Sequence, residues 1–183
     1  MASWTKPKTW VDGESVTAAI LNTHLRDNLD FLHDKDRIHA VQTQDNALKD
    51  GEWEVIRFGG EAFDRGNMHS TRKRDAQVQI RQDGLYYLIF KMAFEDDGAG
   101  VGMRSVMLRR NSNQGDSSGH NLGEWRERGV NGETVYVAGE TLARMRKGDH
   151  VNLFVKQDSG TAGLKALSGT ANTAFLQAVQ MGG

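Results

Sequence analysis

Gly115-Asp116-Ser117-Ser118-Gly119-His120 matches the nucleophile pattern Gly-x-Ser-x-Gly. In a hydrolase that pattern raises a serine on a tight turn between a strand and a helix, with an acid and a histidine supplied from elsewhere. Here a polar stretch precedes the serine, no amphipathic helix follows, and His120 is too near along the chain to imply a triad. The expectation is a polar loop without catalysis. Glu95-Asp96-Asp97-Gly98 gathers acidic oxygens but lacks the alternating spacing of a calcium loop, so it reads as a turn with solvated carboxylates, with calcium as the alternative. Gly98, Gly100 and Gly102 form a glycine run with no helix after it, a poor phosphate cradle and a good hairpin signal. The six histidines form no His-x-His or His-Glu-x-x-His unit, and cysteine is absent. No catalytic residue, cofactor or metal is therefore expected, and stability must come from packing or oligomerisation without disulfides.

The chain around these residues has 183 positions, enough for one domain with a real core plus an appendage. A net charge of −1 gives no general case for nucleic acid. The local basic clusters Arg72-Lys73-Arg74 and Arg109-Arg110 read as a solvated face or a salt-bridged interface. No stretch approaches the ~20 apolar residues of a membrane span, and Met1-Ala2-Ser3-Trp4 does not open a secretory signal. Neither nucleic acid nor membrane insertion is expected, and synthesis in a cytoplasm is. With 21 glycines and one proline, the turns must be glycine and Asn/Asp turns of the kind that join antiparallel strands.

The N-terminus is an extended arm that carries Trp4, Pro7 and Trp10, two of the chain's four tryptophans among them. From Thr17 the apolar positions Leu21, Leu25, Leu29 and Leu32 recur at helical spacing, with Thr17 as the N-cap and Glu14 near the positive end of the dipole. A helix of about four turns is marginal alone, so bundling with copies or docking on a partner is expected. The pattern Trp4-Thr5-x-Pro7-x-Thr9-Trp10, then Asp12-Gly13-Glu14, then Leu21-Asn22-Thr23-His24-Leu25-Arg26-Asp27-Asn28-Leu29 resembles the N-terminal segment of many tailed-bacteriophage virion proteins. That resemblance covers roughly the first fifth of the chain. It implies that residues 1–35 attach a surface, fibre or tail domain to a particle.

Residues 36–51 are polar without a clear period and read as a linker, so the body is expected over 52–183. There the period becomes two. Strands are expected at 53–58, 76–80, 85–94, 104–108, 134–138, 141–145, 151–157 and 173–181, as in an all-β sandwich. The strand at 85–94 is apolar on both faces, Tyr86, Leu88 and Phe90 on one and Leu85, Tyr87 and Ile89 on the other. Such a strand needs two covering layers, the second most simply another subunit. These six, with Leu153 and Phe175, are the expected trimer-interface or core residues.

The run Gln79-Ile80-Arg81-Gln82-Asp83-Gly84-Leu85-Tyr86-Tyr87, then Arg104-Ser105-Val106-Met107-Leu108, then Lys147-Gly148-Asp149-His150-Val151, then Ala174-Phe175-Leu176 resembles the complement globular head and tumour necrosis factor superfamily. That resemblance implies a mainly β, antiparallel jelly-roll sandwich that assembles as a homotrimer. The 111–131 stretch is a long insert relative to that pattern, so no ligand residues are carried over. Trp125 within it is the candidate for stacking on a sugar. The expectation is thus a structural protein of a bacteriophage virion, a capsid decoration, head fibre or tail fibre, with other virion proteins as partners. A receptor- or glycan-binding tail-tip module that engages a host-surface glycan is the alternative.

Overall fold

The computed structural model describes residues 5–98, 100–113, 119–169 and 174–182. The chain divides into an N-terminal unit that runs through Lys35 and a body from Asp36 to Gly182.

In the N-terminal unit, α1 (Ala18–Leu21), a π-helical turn (Asn22–Arg26) and α2 (Asp27–His33) follow one another. Thr17 caps the start, its Oγ1 accepting the Ile20 N–H at 3.3 Å. The arm folds back onto this helix. Asn28 Oδ1 accepts the Thr5 N–H and Asn28 Nδ2 donates to the Thr5 carbonyl, both at 2.8 Å, with a further bond to His24 O at 3.2 Å. One buried amide therefore satisfies both backbone groups of Thr5 and holds the arm antiparallel to the helix. Farther out, Lys8 pairs with Glu14 at 2.6 Å and lies 5.8 Å from the Trp10 ring.

The body is two antiparallel sheets enclosing one core. Its strands are β1 (Arg37–Val41), β2 (Asn46–Leu48), β3 (Glu54–Val55), β4 (Gly60–Arg65), β5 (Val78–Gln79), β6 (Gly84–Phe94), β7 (Met103–Arg110), β8 (His120–Arg128), β9 (Val135–Met145), β10 (His150–Gln157), β11 (Leu164–Leu167) and β12 (Phe175–Gly182). Seven form one sheet in the order β2-β11-β6-β12-β1-β4, with β9 on the other side of β6. The other sheet runs β3-β10-β7-β8, and β5 also pairs with β10. Period-two patterning explains the core. Tyr86, Leu88, Phe90 and Met92 of β6 point inward against Val106 and Leu108 of β7, Val151, Leu153 and Val155 of β10, and Leu176 and Ala178 of β12. Each large apolar side chain so buried stabilises by about 1.5–3 kcal/mol.

Several expected boundaries differ. The stretch 36–51 is not a linker, because β1 and β2 lie in the seven-stranded sheet and bury Ile38, Ala40 and Leu48. The segments at 134–138 and 141–145 are one strand, β9, paired with β6 along its whole length. The 111–131 insert is not all loop, since β8 occupies most of its second half and pairs with β7. The glycine run is not a hairpin either, for it joins β6 of one sheet to β7 of the other. Gly100 and Gly102 have φ of 66° and 72°, and a Cβ on Gly102 would run into the Asp158 carbonyl. The buried ion pair of Arg104 with Asp97, 2.9 Å, fixes that crossing.

Candidate functional site

The face of the seven-stranded sheet turned away from the core is built in cross-strand rows. In the first, Tyr87 of β6 lies between Leu142 of β9 and Val179 of β12, and Val179 opposes Arg37 of β1. In the next, Ile89 lies between Glu140 and Gln177, and Gln177 opposes His39, which opposes Phe63 of β4. In the third, Lys91 lies between Ala138 and Phe175, which opposes Val41. Neighbours in such rows touch. The His39 ring stacks on Phe175 at 4.6 Å and tilts against Phe63 at 5.8 Å, and Lys91 sits 4.6 Å from the Tyr136 ring. The Tyr87 hydroxyl donates to Glu140, and this bond raises the Tyr87 pKa.

The face mixes apolar with charged and polar side chains, and part of its apolar surface is left accessible. Leu142 is 58% exposed, Met181 58% and Phe63 42%, while Leu85, Tyr87, Ile89, Phe175 and Val179 are half-buried. Exposed apolar side chains grouped on one sheet face are a candidate interaction site.

The eight residues expected at the trimer interface or core divide cleanly by register. Tyr86, Leu88, Phe90 and Leu153 are wholly buried in the sandwich, whereas Leu85, Tyr87, Ile89 and Phe175 lie on the outward face. Burial raises the Tyr86 pKa, with the Asp36 charge adding to it, so that phenol stays neutral and donates to the Gln82 carbonyl at 3.0 Å.

Of the residues expected to attach the protein, Trp4 lies outside the described residues. Pro7 is exposed and Trp10 is 41% exposed. Leu21, Leu25, Leu29 and Leu32 are 39%, 51%, 63% and 56% exposed, a leucine line left in solvent along one helix. Their spacing of four, four and three keeps them on one side of a helix of 3.6 residues per turn.

Trp125 is not on a loop. It lies on β8, half-buried, edge-on to Phe90 at 4.8 Å between ring centroids. Its indole rests over Gly139 of β9, where a Cβ would come within 2.5 Å of the ring. It plugs the side of the sandwich between β8 and β9, and two mid-strand glycines, Gly123 and Gly139, are the sequence signal for that close approach.

The candidate chemistry disperses. Ser117 lies outside the described residues, and strand β8, not a helix, follows Gly119. In the acidic turn Asp96 and Asp97 accept the Gly98 and Gly100 N–H groups at 2.9 and 2.7 Å, and Asp97 also binds Arg104. His69 meets Glu61 at 2.7 Å and His150 meets the Ser112 carbonyl at 2.9 Å, in separate places. Among the described residues no group of three or more acids and histidines is placed to hold a metal.

No protein-family model matches the chain, and no curated protein does. Solved structures do. The body is similar to murine APRIL, with a TM-score of 0.58 at 15% identity over 80% of this chain and 99% of that one. It is similar to the globular domain of zebrafish complement 1qA protein, with a TM-score of 0.57 at 13% identity over 80% and 98%. The Eiger TNF of S. frugiperda gives a TM-score of 0.57 at 13% identity over 80% and 91%. Likenesses at such low identity establish architecture, and the architecture is the antiparallel jelly-roll sandwich of the TNF and C1q globular domains.

Proposed function

We propose that this protein is a homotrimeric structural component of a tailed-bacteriophage particle, displayed on the virion surface after synthesis in the host cytoplasm. Its body associates through the outward face of the seven-stranded sheet, and its arm and helix fasten it to another virion protein. Its work is binding and assembly, without turnover. The carrying observation is the line of four exposed leucines beside an arm already clamped by Asn28, which is a preformed but unpartnered attachment element. The phage setting rests on the resemblance of the Trp4 to Leu29 segment, and the trimer on the resemblance of the body together with its uncovered apolar face. The direct passage from Lys35 of the N-terminal unit to Asp36 of the body, with no shaft between, favours a knob held close to its anchor.

The test is incorporation into particles that lack the native protein. Full-length chain is expected to join them, and a chain without residues 1–35 is expected to fold, to sediment as a trimer and to remain free. Equal occupancy of the two would overturn the assignment of attachment to the N-terminal unit. Sedimentation of the full chain as a monomer at micromolar concentration would overturn the trimer.

A further inference from the structure

At the end of the sandwich where β7 and β9 run out and β10 begins, Arg110, Asn111, Arg144, Arg146 and Asp149 line a recess of about 420 Å³. Three arginines and one aspartate share that lining, in a chain whose net charge is only −1. The carboxylate is already engaged. Asp149 Oδ1 accepts from Asn111 Nδ2 at 2.7 Å and Oδ2 from the Arg146 N–H at 2.8 Å, and Arg110 stands 3.9 Å away. Burial would raise the Asp149 pKa, but the hydrogen bonds from Arg146 and Asn111 and the charges of Arg110 and Arg146 outweigh it, so the group is held below its ordinary value and stays ionised.

The floor of the recess is fixed. Asn111 adopts a left-handed conformation, φ 57°, secured because its Oδ1 accepts the His150 N–H and its own N–H donates to the His150 carbonyl, both at 2.9 Å. Arg110 is positioned by donating to the Arg144 carbonyl at 3.2 Å. Among the described residues no carboxylate lies within ion-pair distance of Arg144 or Arg146, and both are exposed.

We propose that this recess binds a compact oxyanion, a sulfate, phosphate ester or carboxylate, in the fork of Arg144 and Arg146 with Arg110 beneath. Planar guanidiniums suit such groups because they offer paired donors to paired oxygens. The volume exceeds what a bare ion fills and lies in the range of small-ligand sites, so the anion has room to be carried on a sugar. The recess borders the proposed self-association face, since Arg144 pairs with Leu85 of β6, and sedimentation beside the binding measurement keeps the two readings apart.

The test is calorimetry on the full-length protein at low ionic strength with inorganic sulfate, glucose 6-sulfate and glucose, alongside sedimentation of the same sample. Sulfate and glucose 6-sulfate are expected to bind at millimolar affinity or tighter and glucose not at all. Arg144→Gln and Arg146→Gln should each weaken binding by about tenfold. Both residues are exposed, so the melting temperature should not move, and Lys147→Gln, next in the chain but outside the lining, should bind like the parent. Tighter binding of the sugar sulfate than of the free ion identifies a glycan-borne group, and equal binding identifies a free-ion site. No binding of either anion, or undiminished binding in both glutamine variants, would overturn the proposal.

Discussion

Both sheets place apolar side chains on the face turned away from the core, yet only one sheet hides them. On the five-stranded sheet, Phe154 of β10 opposes Met107 of β7, and these are 1% and 2% exposed. Polar side chains near them find partners within the chain. Asn152 is buried and donates to the Ala76 carbonyl at 2.7 Å, and Arg126 and Glu124 pair at 2.7 Å on the outer strand β8. On the seven-stranded sheet, Leu142, Tyr87, Ile89, Val179, Phe175 and Phe63 form rows with nothing from the body over them. On the proposed assembly, the layer over the more exposed face is a second copy of the chain.

The most forceful way to break this contrast is a charge at the centre of the bare face. Ile89→Asp should cost on the order of 3 kcal/mol or more in assembly, because a carboxylate would be buried without a partner. The outcome expected by analytical ultracentrifugation is soluble monomer or aggregate in place of trimer. Wild-type assembly of this variant would remove the face from the interface.

How far these faces were legible in the sequence depends on how many apolar residues each strand spends on them. In β6 both alternating sets are apolar, so its two-sidedness could be read from Leu85 to Phe94 directly. β1 buries only Ile38 and Ala40 and shares its outward face among Arg37, His39 and Val41, too weak a period to separate from linker. β8 lies at the sheet's edge and is mostly exposed, so His120 to Arg128 carries charge where a central strand would carry apolar residues. Trp125 was visible as a residue but not as a plug, since what fixes it is the absence of side chains at Gly123, two residues away on the same strand, and at Gly139 on β9, brought beside it only by the fold. The recess was hidden for a similar reason. Arg110 was noted as one of a basic pair, while Arg144 and Arg146 join it only through the pairing of sheets.

Gly139→Ala sharpens the contrast from the opposite side. Its methyl would press into the Trp125 indole, and overpacking of this kind costs about 1–3 kcal/mol. The loss should show as a lower melting temperature with the trimer retained at temperatures below it, the reverse of the Ile89→Asp pattern. A variant that melts like the parent would mean that the Trp125 plug yields freely.

The gentlest probe asks whether water or protein lies over the bare face. Tyr87 donates its hydroxyl to Glu140, and that bond holds the phenol in its neutral, donating form by raising its pKa. Tyr87→Phe removes the donor and almost nothing else. If the face stays in water, Glu140 regains a solvent partner and neither folding nor assembly changes measurably. If a second copy covers the face, Glu140 loses its donor in a drier site, and the trimer's dissociation constant should rise about tenfold. Sedimentation across a dilution series reads the difference. An unchanged dissociation constant would place the Tyr87 and Glu140 row at the wet rim and confine the dry part of the interface to the rows of Ile89 and Phe175.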